Sequence, residues 1–218
     1  MAYFPGGERA ETEPVLHHHQ SRFGCDHHLF SGRGSAVYDR LAPIAMGWLY
    51  NRVAADVTSA NIAGLVVDLG CGPGHATVRI ARRNPELQAM GIDPSSDMID
   101  HASANAMAAG VSQRVTFEVG SSAALPFADG TVALIVSSLS VHHWDDVAGG
   151  LAECMRVLRP GGEFWIYEPR ILMGRHIQRA VRRHARALIP EPAFGRNAVR
   201  FGPFPLMARM RLRRTEIG

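Results

Sequence analysis

Asp68, Gly70, Gly72 and Gly74 stand two residues apart, and a second carboxylate follows at Asp93. Two acids around a stretch of bare backbone suit a ligand with positive charge and hydroxyl groups, because carboxylates accept charge-assisted hydrogen bonds. A phosphate suits them less. The dinucleotide fingerprint G-x-G-x-x-G would put its third glycine at residue 75 or 77, which are His75 and Thr77. A P-loop needs a lysine, and all 23 residues counted as Lys+Arg are arginine. The pair His142-His143 is the other grouping able to move protons, since imidazole titrates near neutrality.

These residues need elements to hold them. Apolar strand-like runs fall at 64–68, 88–92, 114–119, 131–137 and 162–167, with helical patterns between them at 75–84, 96–109 and 145–158. Alternation of this kind predicts an α/β fold, a mostly parallel sheet wound doubly by right-handed crossovers and covered on both faces. Ser95 or Ser96 is expected to cap the second of these helices and Asp145 the third. Residues 35–57 predict one or two helices, interrupted at Pro43 and Gly47. Residues 1–30 read as a mobile arm, and 31–218 as one domain with its core at 60–170. Beyond residue 170 lie an arginine-bearing helix at 174–188, a Pro/Gly-rich loop and an apolar–arginine alternation at 207–213. In such sheets a ligand sits beyond the carboxyl ends of the strands, beside the first strand. The glycine loop falls there. A phosphate-free cationic nucleoside, S-adenosylmethionine, would meet Asp68 with its sulfonium and ammonium groups and Asp93 with its ribose hydroxyls.

Here the chain resembles a family. Val66–Gly74, Gly91–Met98, Leu125-Pro-Phe127, Ser137–His143 and Arg156–Gly162 are similar, in order and spacing, to the class I S-adenosylmethionine-dependent methyltransferases, and most of all to their small-molecule, ubiquinone/menaquinone-type branch. The resemblance covers about residues 35–170. It implies a Rossmann-like seven-stranded methyltransferase sheet with N-terminal helices. It also implies a cofactor cradle of Asp68, Gly70, Cys71, Gly72 and Gly74, with Asp93 and Pro94 at the ribose and Met98 against the adenine. Gly120, Ser121, Ser122, Ala123 and Ser138 complete the implied set. Tyr38, beside Asp39, matches a Tyr-Asp pair that closes over the cofactor, and equally suits helix–sheet packing. Where relatives place a carboxylate for the adenine amino group, this chain has Ser121, so weaker cofactor binding is expected. Ala133, where relatives often carry aspartate, is a structural position. Cys71 reads first as a small side chain between glycines and second as a thiol activated by a helix N-terminus.

Methyl transfer from a sulfonium requires an aligned nucleophile and a dry site, and a phenol, enol or thiol acceptor is helped by a base. His142 and His143 are the candidates for that base. A small-molecule acceptor, anionic or hydrophobic, is the expected partner. A non-catalytic cofactor-binding module is the rival from another class. No metal site is expected, since His17-His18-His19 with Cys25-Asp26-His27-His28 matches no established ligand spacing. From Arg170 onward twelve arginines face only Glu191 and Glu216. For the arginine face of the 174–188 helix a solvated face is the default reading, with an acidic substrate, a lipid surface or RNA as alternatives. RNA methylation is disfavoured because Ser137–Ser140 lacks the Asn/Asp-Pro-Pro-aromatic run of base-modifying relatives. No segment has the length or the pattern of a transmembrane helix or secretory signal, so a cytoplasmic protein with at most peripheral membrane contact is expected. Oligomeric state and acceptor identity are not readable from these residues.

Overall fold

The computed structural model describes residues 32–170, Arg183, 195–201 and 204–214. The first element, α1 (Gly32–Ala60), runs unbroken through Pro43. Proline removes one backbone hydrogen bond and ordinarily kinks or ends a helix. Here burial outweighs it. Leu49, Val53, Ala54 and Val57 on the inner face of α1 pack into the same core as Val78, Ile80 and Trp165, and such packing supplies most helical stability in folded proteins.

The chain continues through β1 (Val66–Leu69), α2 (His75–Arg83), β2 (Ala89–Asp93), α3 (Ser96–Ala108), β3 (Val115–Val119) and β4 (Val132–Ser138). A 3₁₀ turn at Val141–His143 precedes α4 (Val147–Val157), β5 (Leu158–Pro169), β6 (Gly195–Phe201) and β7 (Phe204–Arg213). The seven strands lie in the order β3-β2-β1-β4-β5-β7-β6. Strands β1 to β5 pair in parallel, and β7 runs antiparallel to both β5 and β6. Every residue of β1 is buried, as are nearly all of β2 and β4, because helices cover both faces. Alternate residues divide between two cores. Val67, Ile135, Phe164 and Met210 face Leu151 and Cys154 of α4, whereas Val66, Leu134 and Trp165 face α1 and α2. At the edge, β3 is largely exposed.

Two expectations are corrected. The cap of α4 is Asp146, whose Oδ1 accepts from the amides of Ala148 and Gly149 at 2.9 Å; Asp145 is one residue too early. The stretch read as a Pro/Gly-rich loop contains β6, which pairs with the apolar–arginine strand β7 and places it inside the sheet. Two arginines of β7 are paired with acids, and Arg213 is exposed. Arg209 meets Asp56 of α1 at 2.7 Å, and Arg211 meets Glu163 at 2.5 Å. Apart from exposed Arg183, the expected 174–188 helix lies outside the described residues, as do the N-terminal arm and its histidine cluster.

Candidate cofactor and acceptor site

Strand β1 is flanked by β2 on one side and β4 on the other, so the connections diverge beside it and leave a crevice at the strands' carboxyl ends. The loop between β1 and α2 lines this crevice. Gly70, Gly72 and Gly74 all have positive φ, at 74°, 52° and 74°, the left-handed region that penalises a side chain. They do not share a role. A Cβ at Gly70 would collide with Ser140, and one at Gly74 would lie 2.9 Å from Ala102 and Phe117. Only Gly72 faces open space, with nothing nearer than Tyr38 Cε1 at 4.0 Å. Two of the glycines therefore let neighbouring elements close up, and one leaves backbone open to a ligand.

Asp93, at the end of β2, braces this loop. Its Oδ2 accepts from Gly72 N–H at 2.8 Å and its Oδ1 from Ser95 N–H at 3.0 Å. Each carboxylate oxygen can accept a further hydrogen bond, which leaves capacity for a vicinal diol. Ser95 in turn caps α3, accepting from Met98 N–H. Burial raises the pKa of Asp93.

Asp68 is 1% exposed. Its Oδ2 accepts from the hydroxyl of Thr77 on α2 at 2.6 Å, while its Oδ1 is buried with no hydrogen-bond partner. Desolvation pushes its pKa up to about 6, against the lowering effect of Thr77. An anion so placed lacks a cationic partner, and a ligand cation would supply one. Thr77 was not singled out in the sequence, although it holds the carboxylate in place. Cys71, between these acids, is buried, and its thiol donates weakly to Gly72 O at 3.4 Å. Burial, then the charges of Asp68 and Asp93, push its thiol well above the usual range. The reading of Cys71 as an activated thiol is thereby overturned.

A second group, of which the sequence reading singled out only Asp39, ties α1 over the loop. His75 Nε2 lies 2.9 Å from Asp39 Oδ1, and Asn105 of α3 donates to Asp39 Oδ1 at 2.8 Å and to Pro73 O at 2.9 Å. Tyr38, one residue earlier, is hydrogen-bonded to Tyr50 and held largely neutral by burial. It therefore packs and faces the crevice at once. The remaining implied cofactor residues ring the same end of the sheet. Met98 is buried and Pro94 exposed. Gly120 donates to Asp93 O at 3.0 Å, and Ser121 Oγ accepts from Ala123 N–H at 3.3 Å in an exposed turn that includes Ser122.

At the end of β4, past Ser138, Leu139 takes φ 60°, unusual for a branched side chain and a form of local strain found at functional sites. It turns the chain so that Ser140 lies under Gly70 and the 3₁₀ turn carries His142 and His143. His142 Nδ1 lies 2.8 Å from Oε2 of Glu168, and its backbone N–H points to Oε1 at 3.4 Å. Glu168 is 0% exposed, at the end of β5. The pairing of Ser138 with Tyr167 brings the two together. As a carboxylate, Glu168 accepts from Nδ1–H and leaves Nε2 free to take a proton. His143 is the outer ring, 3.9 Å from its neighbour, and burial with the nearby His142 lowers its pKa. The available signal for Glu168 was a carboxylate at the carboxyl end of a central strand. Among the described residues no group of three or more His, Cys, Asp or Glu is placed to hold a metal.

The buried unpartnered Asp68 oxygen, the doubly braced Asp93 and the open Gly72 fit a cationic, hydroxyl-bearing nucleoside. Comparison with known proteins agrees. Residues 66–162 match the family described as a methyltransferase domain. A demethylmenaquinone methyltransferase of Deinococcus radiodurans is 32% identical over 151 residues, covering 62% of this chain and 61% of the relative. The 27-O-demethylrifamycin SV methyltransferase of Amycolatopsis mediterranei is 34% identical over 97 residues, covering 44% and 35%. The chain thus spans less than two thirds of each. Among solved structures, a protein of Methanococcus maripaludis assigned as an S-adenosyl-L-methionine-dependent methyltransferase superposes with TM-score 0.69 at 20% identity, over 87% of this chain and 95% of that one. The geranyl diphosphate methyltransferase complex with S-adenosylmethionine superposes at 0.62 with 18% identity, over 87% and 95%. Through residues 66–162, less than half of its length, this chain is thus similar to the methyltransferase domain family, and its fold is that of S-adenosylmethionine-dependent methyltransferases.

Proposed function

We propose that the chain methylates a small-molecule acceptor bearing an ionisable hydroxyl, a phenol or enol, with His142 as the base. The observation that carries this reading is the His142–Glu168 pair, a solvent-reachable imidazole backed by a fully buried carboxylate beside the glycine loop. S-adenosylmethionine, when bound, supplies the electrophilic methyl group and the leaving thioether. The protein's own part is placement and proton handling. Asp68 offers its unpartnered oxygen to an ammonium or sulfonium, and Asp93 offers its remaining lone pairs to the ribose diol. Tyr38 and the Asp39–His75–Asn105 contacts hold α1 over the crevice and limit water. Glu168 fixes the tautomer of His142, so that Nε2 removes the acceptor's proton. Deprotonation activates either the oxygen or the adjacent ring carbon. Relatives are named for both outcomes, one as a ubiquinone/menaquinone biosynthesis C-methyltransferase and one as a 27-O-demethylrifamycin SV methyltransferase.

An RNA acceptor is disfavoured by Arg209 and Arg211 of β7, which pair with Asp56 and Glu163 and are thereby engaged within the protein. A panel of phenols, naphthols and enols with labelled cofactor tests the proposal, with product analysis separating O- from C-methylation. Transfer that is lost in His142→Ala and kept in His143→Ala supports it. Equal rates in the two variants would remove the base, and binding without transfer to any acceptor would leave a cofactor-binding module.

A further inference from the structure

Helix α1 has two apolar faces. The inner one packs on α2 and the sheet. The outer one carries Val37, Leu41 and Ile44, which are 55%, 56% and 82% exposed. Their i, i+4, i+7 spacing places them on one stripe, about 10 Å long at 1.5 Å per residue. Among the described residues the charges placed beside this stripe are positive. Arg40 is exposed next to it on α1, and Arg79 of α2 reaches to within 3.9 Å of where a Gly47 Cβ would stand. The two acids of α1 turn elsewhere, Asp39 to His75 and Asn105, and Asp56 to Arg209. Helix α2 contains no acid, and Glu86 follows only past its end.

An exposed apolar stripe bordered by arginines is the pattern of a helix that lies in a membrane interface, its apolar side among acyl chains and its cations at anionic headgroups. We propose that the outer face of α1 docks this protein on an anionic lipid surface. The same helix carries Tyr38 and Asp39 on its other side, at the crevice mouth. Docking would therefore set that mouth at the bilayer surface, where an apolar acceptor partitions. No helix among the described residues is long and apolar enough to span a membrane, so the contact is peripheral.

The test needs no acceptor, so its outcome is independent of the proposed reaction. Full-length protein is sedimented with vesicles of phosphatidylcholine mixed with phosphatidylglycerol, and with phosphatidylcholine alone. Binding is expected only to the mixed vesicles and should weaken as salt rises. The double variant Leu41→Glu/Ile44→Glu should bind at least about tenfold more weakly, and Arg40→Gln about fivefold more weakly. Unchanged calorimetric affinity for S-adenosylmethionine shows that the variants remain folded. Equal binding by variants and wild type, no binding to mixed vesicles, or equal binding to neutral ones would overturn the proposal. So would a wild-type dimer in light scattering that the double variant converts to monomer, since the stripe would then be a self-interface.

Discussion

Two buried carboxylates at the same end of the sheet differ in what surrounds them. Asp68, at the end of β1, has one neutral hydroxyl for a side-chain partner and one oxygen with none. Glu168, at the end of β5, holds the His142 ring and faces its amide. In the proposed reading the first meets a ligand that brings the opposite charge. The second is already matched inside the protein, and its task is to orient. Asp56, held by Arg209, Arg52 and Tyr167, is a third kind, fully committed to structure. Burial alone does not say whether an acid binds, orients or braces. Its partner does.

The largest effect is expected at the oriented pair. His142→Ala should lower kcat by about 10²–10⁴-fold, while Glu168→Gln should lower it less and displace the pH–rate profile. A Glu168→Gln variant with an unaltered profile would reduce that residue to packing and erase its difference from Asp56.

Asp68→Asn should uncouple binding from stability. The folded-state pKa of about 6 lies above the ordinary carboxylate value of 3.8. Between those values the folded state holds the extra proton, so stability falls as pH rises through about 6. The two-unit shift corresponds to about 3 kcal/mol of strain from the ionised acid at pH 7. The variant should be more stable by up to that amount in urea denaturation at pH 7, and its stability should vary less with pH between 4 and 6. Its calorimetric affinity for S-adenosylmethionine should fall. A variant both less stable and equally tight would mean that Asp68 serves the fold.

Arg209→Ala should cost about 2 kcal/mol, because half-buried Asp56 loses one of its two cations and keeps Arg52 and Tyr167. Cofactor affinity should not move, which would confirm that the β7 arginines act in structure. The smallest effect is at Ser121→Asp. A charge-assisted acceptor for the adenine amino group should tighten cofactor binding by a few-fold, about 1 kcal/mol. A calorimetric titration without gain would place the adenine elsewhere.

What could be read from the residues alone was whatever depends on near neighbours. Five parallel strands, the helices between them, the loop at Asp68–Gly74 and the Ser95 cap follow from periods and turn chemistry that span a few positions. The carboxylate at Asp93 was legible for the same reason, since it ends a strand that the pattern shows. Other features depended on distant parts of the chain. Gly70 and Gly74 are glycine because Ser140 and Phe117 arrive against them from other elements. His142 is oriented by a residue 26 positions later, through the register of β4 on β5. Helix α1 survives Pro43 because the sheet covers its inner face, and β6 forms because β7 offers it an antiparallel edge. Local sequence sets which conformations are cheap, but side chains far apart in the chain become neighbours only when strands choose their order. That choice turned two histidines into one candidate base, and left one of two buried acids with an oxygen that no hydrogen bond meets.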